Sequence, residues 1–570
     1  MSLYYINLLL LFILFLLKPV AVLAVGIIAL NGFLISCKRE ITQILVYGVS
    51  FFYIKILGGY FFGAKLSSIL IYIAIETSIL ILYFIYRKSY RDHKYIIQET
   101  FPTYVLTYIL FFAVILSFFS TYYNFSDAAF HYSLINKTIL EDRLINHDPF
   151  YGSDFYDPRY SYSFIGPLSA LLSRLVMVTG LERIDSINIV WDSFHIILFF
   201  LANLVLYEVV TIYSGKKTAF NTLFIFFILF VLVRASGYRG YGFSLANYPS
   251  AWMVWLFFPV YFLFYKTSTK IDIIFLSFIT GGIHLFYNIF FFPVILLGIL
   301  TKNKKRRNDY IIKSALYTGV TSIFVYVKYF YHSFKTENTF FISSLNIDRW
   351  FNFSNAQILI PGFLPVLSII ILFYFRNLFK RKRIFFIWFG IVTVFAFFAP
   401  EISGFLNYNT QKFNRIYQLF PVLFVIPALF TLLWRKYRKY YVYVMLFILI
   451  AGTVKTYFFM PESGVEHIKP LAKIFSKIPE KSLVLADEEV SMLISSVGLS
   501  DVVYVYREYS SPAVSEIELR QGAFYRLLTT GDNYFKADFA VIPPSKREFI
   551  NNNIDFKDIG GGFCLIELKK

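Results

Sequence analysis

Continuous apolar runs alternate with short polar segments along most of the chain, and each run is roughly 16–22 residues long. A helix of this length crosses a bilayer, whereas the strands of a membrane barrel alternate apolar and polar residues. The pattern therefore predicts an α-helical polytopic membrane protein with about 15 spans. The predicted spans are 3–18, 20–37, 41–62, 66–86, 104–121, 187–213, 218–236, 250–265, 271–285, 286–301, 310–329, 361–376, 384–399, 416–433 and 440–460.

The composition agrees with this fold class. Of the 570 residues, 58% are hydrophobic and 16% are charged, whereas a soluble protein carries about 25% charged residues. The net charge is +19, and the Lys and Arg residues cluster in the short segments between spans. This clustering follows the positive-inside rule, and nothing couples the basic residues to a groove or an aromatic stacking platform. We therefore expect membrane lipids, and no nucleic acid, as partners.

The basic segments also predict an orientation in the cytoplasmic membrane. With the N-terminus in the cytosol, the cytosolic segments are 38–39, 87–94, 216–217, 302–307, 376–383 and 435–439. The external segments are then 121–186, 237–250, 330–360, 399–415 and everything after residue 460. The apolar run 164–178 contains Pro167 and Arg174, and counting it as a span would break this pattern. We interpret it as a helix that lies on or dips into the outer leaflet.

Three parts of the chain follow from this reading. Residues 1–103 form an N-terminal segment of four spans, and 104–460 form a membrane core with a large external loop at 121–186. Residues 461–570 form a small external α/β domain, which we call the tail domain. Its predicted strands are 482–486, 502–506, 539–542 and 563–568, and its predicted helices are 467–478, 487–496 and 515–530.

The external loop at 121–186 is the candidate site of chemistry, because a long polar loop between membrane helices is usually functional. Asp127 opens the loop where span 104–121 ends, and His131 follows four residues later, so both share a face on a helical turn. A carboxylate there can act as general base or ligate a metal. The alternative is that Asp127 caps the following amphipathic helix.

Further candidates lie in the same loop and in later external segments. Asp154 and Asp157 can present carboxylates to a divalent ion or an acceptor, or they can be turn residues. Arg239 and Arg415 have the geometry to hold a phosphate, or they contact lipid headgroups. Ionisable residues in or near spans are functional candidates too, although a single buried His is more often structural. These residues are Asp192, His195 and His284.

With loop and topology placed, the chain resembles the polytopic glycosyltransferases of the GT-C class. Asp127, in the segment Phe125-Ser-Asp-Ala-Ala-Phe-His131, is similar to the acidic residue that opens the first large external loop of that class. The segment from Asp157 resembles its juxtamembrane segment, and Arg415 in Asn414-Arg-Ile416 resembles an Arg that opens a late helix. The segment 478–487 is similar to tails of other members. The chain departs from the class in two ways: a segment of four spans precedes span 104–121, which leads into the loop, and Ala128 follows Asp127 where an acidic pair is common.

The resemblance implies a sugar donor carried on a polyprenyl phosphate. It implies that Asp127 acts as catalytic base or orients the acceptor, and that Arg415, with Arg239, holds the lipid phosphate. It leaves open whether a divalent metal such as Mg²⁺ or Mn²⁺ is a cofactor. Two alternatives stay beside it: a transporter or flippase of a lipid-linked saccharide, and a non-catalytic membrane scaffold.

Overall fold

The computed structural model describes a mostly helical protein with a small sheet at its C-terminal end. The described residues are 3–36, 40–86, 102–118, 127–156, 164–214, 216, 219–220, 223, 269–283, 304–325, 468–497, 500–505, 516–549 and 555–568. The predicted spans between 330 and 460 lie outside them, as do His284, Asp157, Arg239 and Arg415.

The helices before the tail domain follow the predicted apolar runs closely. They are α1 (Leu3–Leu17), α2 (Pro19–Ser36), α3 (Ile41–Phe61), α4 (Leu66–Tyr86), α5 (Thr103–Ser117), α6 (Asp127–Leu140), α7 (Ile165–Met177), α8 (Arg183–Ser214), α9 (Lys270–Ile283) and α10 (Lys304–Val325). Among the described residues, α2, α3, α4 and the segment Arg183–Glu208 of α8 are long and apolar enough to cross a membrane. The chain is thus a membrane protein by the length and composition of its helices.

Helices α5 and α8 lie antiparallel. Near the start of α5, the side chain of Tyr104 lies close enough to Tyr207, far along α8, to interact with it electrostatically. Near the end of α5, the carbonyl of Leu116 lies 3.1 Å from Nε2 of His195, early in α8. The two contacts pair the start of one helix with the late part of the other.

Helix α1 runs parallel to α5, and the chain reverses sharply after it. Nδ2 of Asn7 donates to the carbonyl of Thr103, the first residue of α5, at 3.3 Å. At the other end of α1, the ammonium of Lys18 pairs with the carboxylate of Asp192 in α8. Pro19 follows Lys18 directly, and proline disfavours helical backbone in the residue before it. The break between α1 and α2 therefore has a local cause in the sequence.

Helices α2 and α3 pack closely and antiparallel. A Cβ atom built on Gly32, late in α2, would lie 1.8 Å from the carbonyl oxygen of Ile44, early in α3. The same end of α3 meets the late part of α8, because the amide of Thr42 donates to Oε2 of Glu208 at 2.6 Å. Helix α2 therefore returns to the level at which α1 and α5 begin, and only glycine allows its close approach to α3.

Helix α4 completes the alternation. The amide of Leu66, its first residue, donates to the carbonyl of Asp142 at 2.9 Å, directly after α6. Phe84, near its end, contacts Phe33 near the end of α2, with ring centroids 5.4 Å apart. Helices α1, α3 and α5 therefore run towards the end of the bundle where α6 lies, and α2, α4 and α8 run away from it. We call this end the α6 end.

Helix α7 is too short to cross a bilayer and instead enters the bundle from the α6 end. It has 13 residues, whereas a span needs about 20. Phe164, which precedes it, packs against Tyr53 of α3 with ring centroids 6.1 Å apart. Residues 165–171 are buried, whereas Val178 beyond the other end of the helix is exposed. The helix at 165–177 exists, and its predicted position on or in the outer leaflet stays a prediction.

The tail domain is a small α/β unit, as the alternating pattern predicted, and its helices cover both faces of the sheet. Its elements are α11 (Ile468–Phe475), β3 (Leu483–Leu485), α12 (Glu488–Val497), β4 (Asp501–Val502), α13 (Ile517–Thr530), β5 (Phe539–Ile542), a 3-10 helix (Pro544–Phe549), β6 (Lys557–Gly560) and β7 (Phe563–Glu567). The strand order is β4-β3-β5-β7-β6, and β3 is parallel to both β4 and β5. Val484 and Val541 join the hydrophobic cluster of α11 and α12 on one face. Leu485 and Ala540 join that of α13 on the other face.

Two strand elements of the structure are absent from the sequence-based prediction. One is the hairpin of β1 (His147–Asp148) and β2 (Gly152–Tyr156) in the loop, and the other is β6. Strand β4 is also shorter than the predicted 502–506, since residues 503–505 are not strand. Edge strands this short contain too few residues to give an alternating pattern.

Candidate functional site

Asp127 and His131 lie in the first two turns of α6. Asp127 is the first residue of the helix and so belongs to its first turn. A carboxylate in this turn is favoured by the positive end of the helix dipole. His131 is half-buried, and its ring contacts that of Phe130 at 5.2 Å between centroids. Asp127 and His131 therefore share one helical face, as predicted. Both hypotheses for Asp127, helix capping and chemistry, stay open.

Helix α6 is fixed in place by buried contacts with α8 and the hairpin. The hydroxyl of Tyr132 donates to Oδ1 of Asn188 at 2.8 Å, and its ring packs on Trp191 with centroids 5.6 Å apart. Phe130 packs on Phe150 of the hairpin turn with centroids also 5.6 Å apart. Such packing fixes the position of the α6 backbone.

An ion pair between His147 and Glu141 lies just beyond the carboxyl end of α6. Nε2 of His147 lies 2.5 Å from Oε1 of Glu141, and its Nδ1 lies 3.2 Å from the carbonyl of Asp148. Burial opposes the imidazolium, but Glu141 and this carbonyl outweigh it and raise the pKa of His147. Burial likewise opposes the carboxylate, yet His147 and then Arg143 lower the pKa of Glu141. Both nitrogens of His147 face an acceptor, so we assign this residue a structural role.

The hairpin turn is built by Asp148. Its Oδ1 accepts the amides of Phe150 and Tyr151 at 2.8 Å and 3.2 Å. The Asp148 carboxylate therefore stabilises the turn at 149–151. The turn ends at Gly152, whose φ is +82° and whose Cβ position would lie 2.3 Å from the Asp501 carboxylate of the tail domain. Glycine is needed there both for the backbone conformation and for the close approach.

The remaining predicted site residues are not brought together by the described part of the chain. Asp154 lies in β2, of which only the backbone is described at this position, and Asp157, Arg239 and Arg415 lie outside the described residues. Within the described residues, no group of three His, Cys, Asp or Glu side chains is placed to hold a metal ion. The predicted metal, acceptor and phosphate roles therefore stay predictions.

Two of the ionisable residues in or near spans have structural partners. Asp192 pairs with Lys18, and Nε2 of His195 faces the Leu116 carbonyl. The ion pair between Lys55 in α3 and Glu76 in α4 was not among the predicted candidates. Glu76 stands in the middle of an apolar run, which is a signal that sequence reasoning could have used. Its pairing with Lys55 depends on how the two helices face each other.

The tail domain carries a further mixed cluster at the carboxyl ends of its parallel strands. Nζ of Lys546, after β5, lies 2.8 Å from the hydroxyl of Tyr525 and 3.7 Å from Oδ2 of Asp487, after β3. Burial, and then the charge of Asp487, raise the pKa of Glu488. In doubly wound sheets, ligands bind at this edge where the strand order reverses. The strand–helix alternation could have indicated this cluster from the sequence.

Comparison with known proteins adds no relative, because no protein-family model and no curated protein matches the chain. The case for a function therefore rests on the residues and their geometry.

Proposed function

We propose that this chain is a membrane glycosyltransferase of the GT-C type. It transfers a sugar from a polyprenyl-phosphate-linked donor to an acceptor on the external face of the cytoplasmic membrane. The observation that carries the proposal is the placement of α6. Asp127 and His131 open a helix that is held across one end of a bundle of apolar helices, next to a folded α/β domain. A lipid-linked donor needs this combination of apolar walls and a carboxylate at the water boundary.

In this proposal, each residue has a defined task. The carboxylate of Asp127 takes the proton of an acceptor hydroxyl, or orients that hydroxyl, while the acceptor oxygen bonds to the anomeric carbon of the sugar. The bond from that carbon to the phosphate oxygen breaks, and polyprenyl phosphate leaves with the electron pair. Arg415, with Arg239, stabilises the charge on the leaving phosphate. His131, on the helical face of Asp127, hydrogen-bonds the same substrate.

No step of the proposal uses a metal. Asp154 and Asp157 are the candidates to hold a divalent ion such as Mg²⁺ or Mn²⁺, or the acceptor. The orientation follows the distribution of basic residues, which puts the N-terminus in the cytosol and the tail domain outside. Direct contacts between α6 and the tail domain support a common side for both.

A second function, transport or flipping of a lipid-linked saccharide, is favoured by one observation. Lys55 and Glu76 form an ion pair between two helices long and apolar enough to cross a membrane. Ionisable groups at such depth are costly and often mark a pathway for a polar substrate. The bonded pair is equally a device that fixes α3 against α4. We prefer the transferase because the acidic loop at 121–186, which contains α6, has no role in the transport proposal.

A two-label experiment separates the two functions. Purified protein in vesicles receives a panel of donors in which the polyprenyl phosphate and the sugar carry different labels. A transferase moves the sugar label to an acceptor and produces free polyprenyl phosphate in equal amount. A flippase moves both labels across the bilayer together and produces no free polyprenyl phosphate, and this result would contradict the proposal.

A further inference from the structure

We propose that the tail domain is a component of the α6 site, in which Ser496 of α12 is a positioning residue for the first turns of α6. The inference deepens the proposed function and rests on it for its catalytic part only. It states that the domain stays docked while the protein works, and does not act as a separate binding module.

The hydroxyl of Ser496 lies directly on α6. Its Oγ lies 2.9 Å from the carbonyl oxygen of Ala129, two residues beyond Asp127, and 2.6 Å from that of Met492 in α12, so these two acceptors share its one proton. Asn136, two turns further along α6, donates through Nδ2 to the carbonyl of Ser496 at 2.9 Å. Ser133 lies between them, with its Oγ 3.4 Å from Oγ of Ser496. One residue of the tail domain therefore contacts three successive turns of the helix that carries Asp127 and His131.

This polar contact is buried. Ser133, Asn136 and Ser496 are each 0% exposed. Burying polar groups costs free energy unless they are hydrogen-bonded, so the two surfaces match only in one register. An interface of this kind fixes both the position of α6 along its own axis and its distance from the tail domain. The backbone of the first turns of α6 is thus positioned by the tail domain.

The hairpin makes the same junction from a second side. Ser495 donates to the carbonyl of Pro149 at 2.9 Å, and the amide of Val502 donates to the carbonyl of Phe150 at 3.0 Å. Val502 belongs to β4, the edge strand of the tail sheet, whose unpaired backbone groups need a cover. The ammonium of Lys137 in α6 meets Oδ1 of Asp501 at 2.8 Å. The hairpin and α6 together cover the β4 edge of the tail sheet.

Catalysis is sensitive to this arrangement, because a misplacement of about 1 Å at a reacting group can cost about 100-fold in rate. A tail domain that had to leave α6 during each turnover would break these buried bonds every time. The geometry therefore favours permanent docking.

The first test compares Ser496→Ala with Ser491→Ala in the full chain. Ser491 is equally buried in α12, but its hydroxyl donates to Ala486 inside the tail domain. Hydrogen exchange of the peptide 129–137 reports on α6 whether or not the protein is a transferase. We expect about fivefold faster exchange in Ser496→Ala, as for the loss of one net hydrogen bond, and no change in Ser491→Ala. Equal exchange in the two variants would overturn the positioning role.

The second test links the two surfaces covalently through Ser133→Cys with Ser496→Cys. The two hydroxyl oxygens, which the sulfur atoms would replace, lie 3.4 Å apart, so a small approach of the two side chains forms the S–S bond of about 2.0 Å. We expect the oxidised protein to transfer sugar within twofold of its reduced form. A tenfold loss on oxidation that a reductant reverses would show that the domain must undock, and would overturn the inference. If no donor supports transfer even in the wild type, the proposed function fails, while the exchange measurement still decides the positioning role.

Discussion

Alanine in place of Gly48 is expected to push α3 away from α2. A Cβ atom at this position would lie 2.0 Å from the carbonyl oxygen of Ile28, and the reciprocal atom at Gly32 would lie 1.8 Å from that of Ile44. A carbon and a carbonyl oxygen approach to about 3.3 Å at closest. The helices would therefore have to separate by about 1 Å or more, since both obstacles are backbone atoms that no rotamer change can move.

The size of the effect follows from two opposing contributions. Alanine is favoured over glycine inside a helix by about 1 kcal/mol. Overpacking in a tight interface costs about 1–3 kcal/mol and more where the surroundings are rigid. Because the obstacles are backbone atoms, we take about 3 kcal/mol for the overpacking cost, and for Gly48→Ala and Gly32→Ala we expect a net loss of about 2 kcal/mol. At an unfolding entropy of about 2.1 cal/mol/K per residue, this lowers the unfolding temperature of the 570-residue chain by about 2 °C.

Two other glycines of the same helices provide matched controls. No atom lies within 4 Å of a Cβ built on Gly26 in α2 or on Gly58 in α3. Thermal unfolding of the purified protein in one detergent should therefore leave Gly26→Ala and Gly58→Ala at or above the wild type. A Gly48→Ala protein as stable as Gly58→Ala would refute the close crossing of α2 and α3.

Two further predictions concern ionic pairs. The raised pKa of His147 gives a stabilisation that is present below the usual value of 6.5 and lost as the pH rises through the folded value. The lowered pKa of Glu141 gives one that is present above the usual 4.5 and lost as the pH falls through its folded value. Glu141→Gln should therefore lower the unfolding temperature most between about pH 4.5 and pH 6.5, and progressively less at higher pH. A loss of unfolding temperature that does not depend on pH would contradict the pairing. For Lys55 and Glu76, we expect Glu76→Gln alone to destabilise by about 2–3 kcal/mol, since it leaves an unpaired charge between apolar helices. Lys55→Met combined with Glu76→Gln should recover most of that loss in the same melting assay, and equal losses in the single and double variants would argue against the pair.

Much of the fold follows from local sequence signals. Helix α4 has the predicted bounds. A continuous apolar run in a membrane can satisfy its backbone hydrogen bonds within the segment only as a helix. The break at Lys18 follows from Pro19. The tail domain follows from its alternating strands and helices, since each short apolar run has a distinct flanking pattern.

The features that were not predicted depend on contacts distant in sequence. The hairpin at 147–156 has little alternation of its own and is held by bonds to β4 and α12, more than 300 residues later. The contact of Ser496 with Ala129 depends on how the tail domain docks, which no local pattern records. Pairing of Lys55 with Glu76 likewise depends on the rotation of two helices.

The central claim is that Asp127 serves glycosyl transfer at the amino end of α6. The direct measurement is the initial rate of transfer from polyprenyl-phosphate-linked donors by Asp127→Asn and by Asp142→Asn. Asp142 is a matched control because it follows α6 on the same segment and has a φ of +49°, which asparagine tolerates. Losing a general base lowers a rate about 100- to 10,000-fold. The account predicts such a loss for Asp127→Asn and a rate within about threefold of wild type for Asp142→Asn. Equal rates in two folded variants would contradict it.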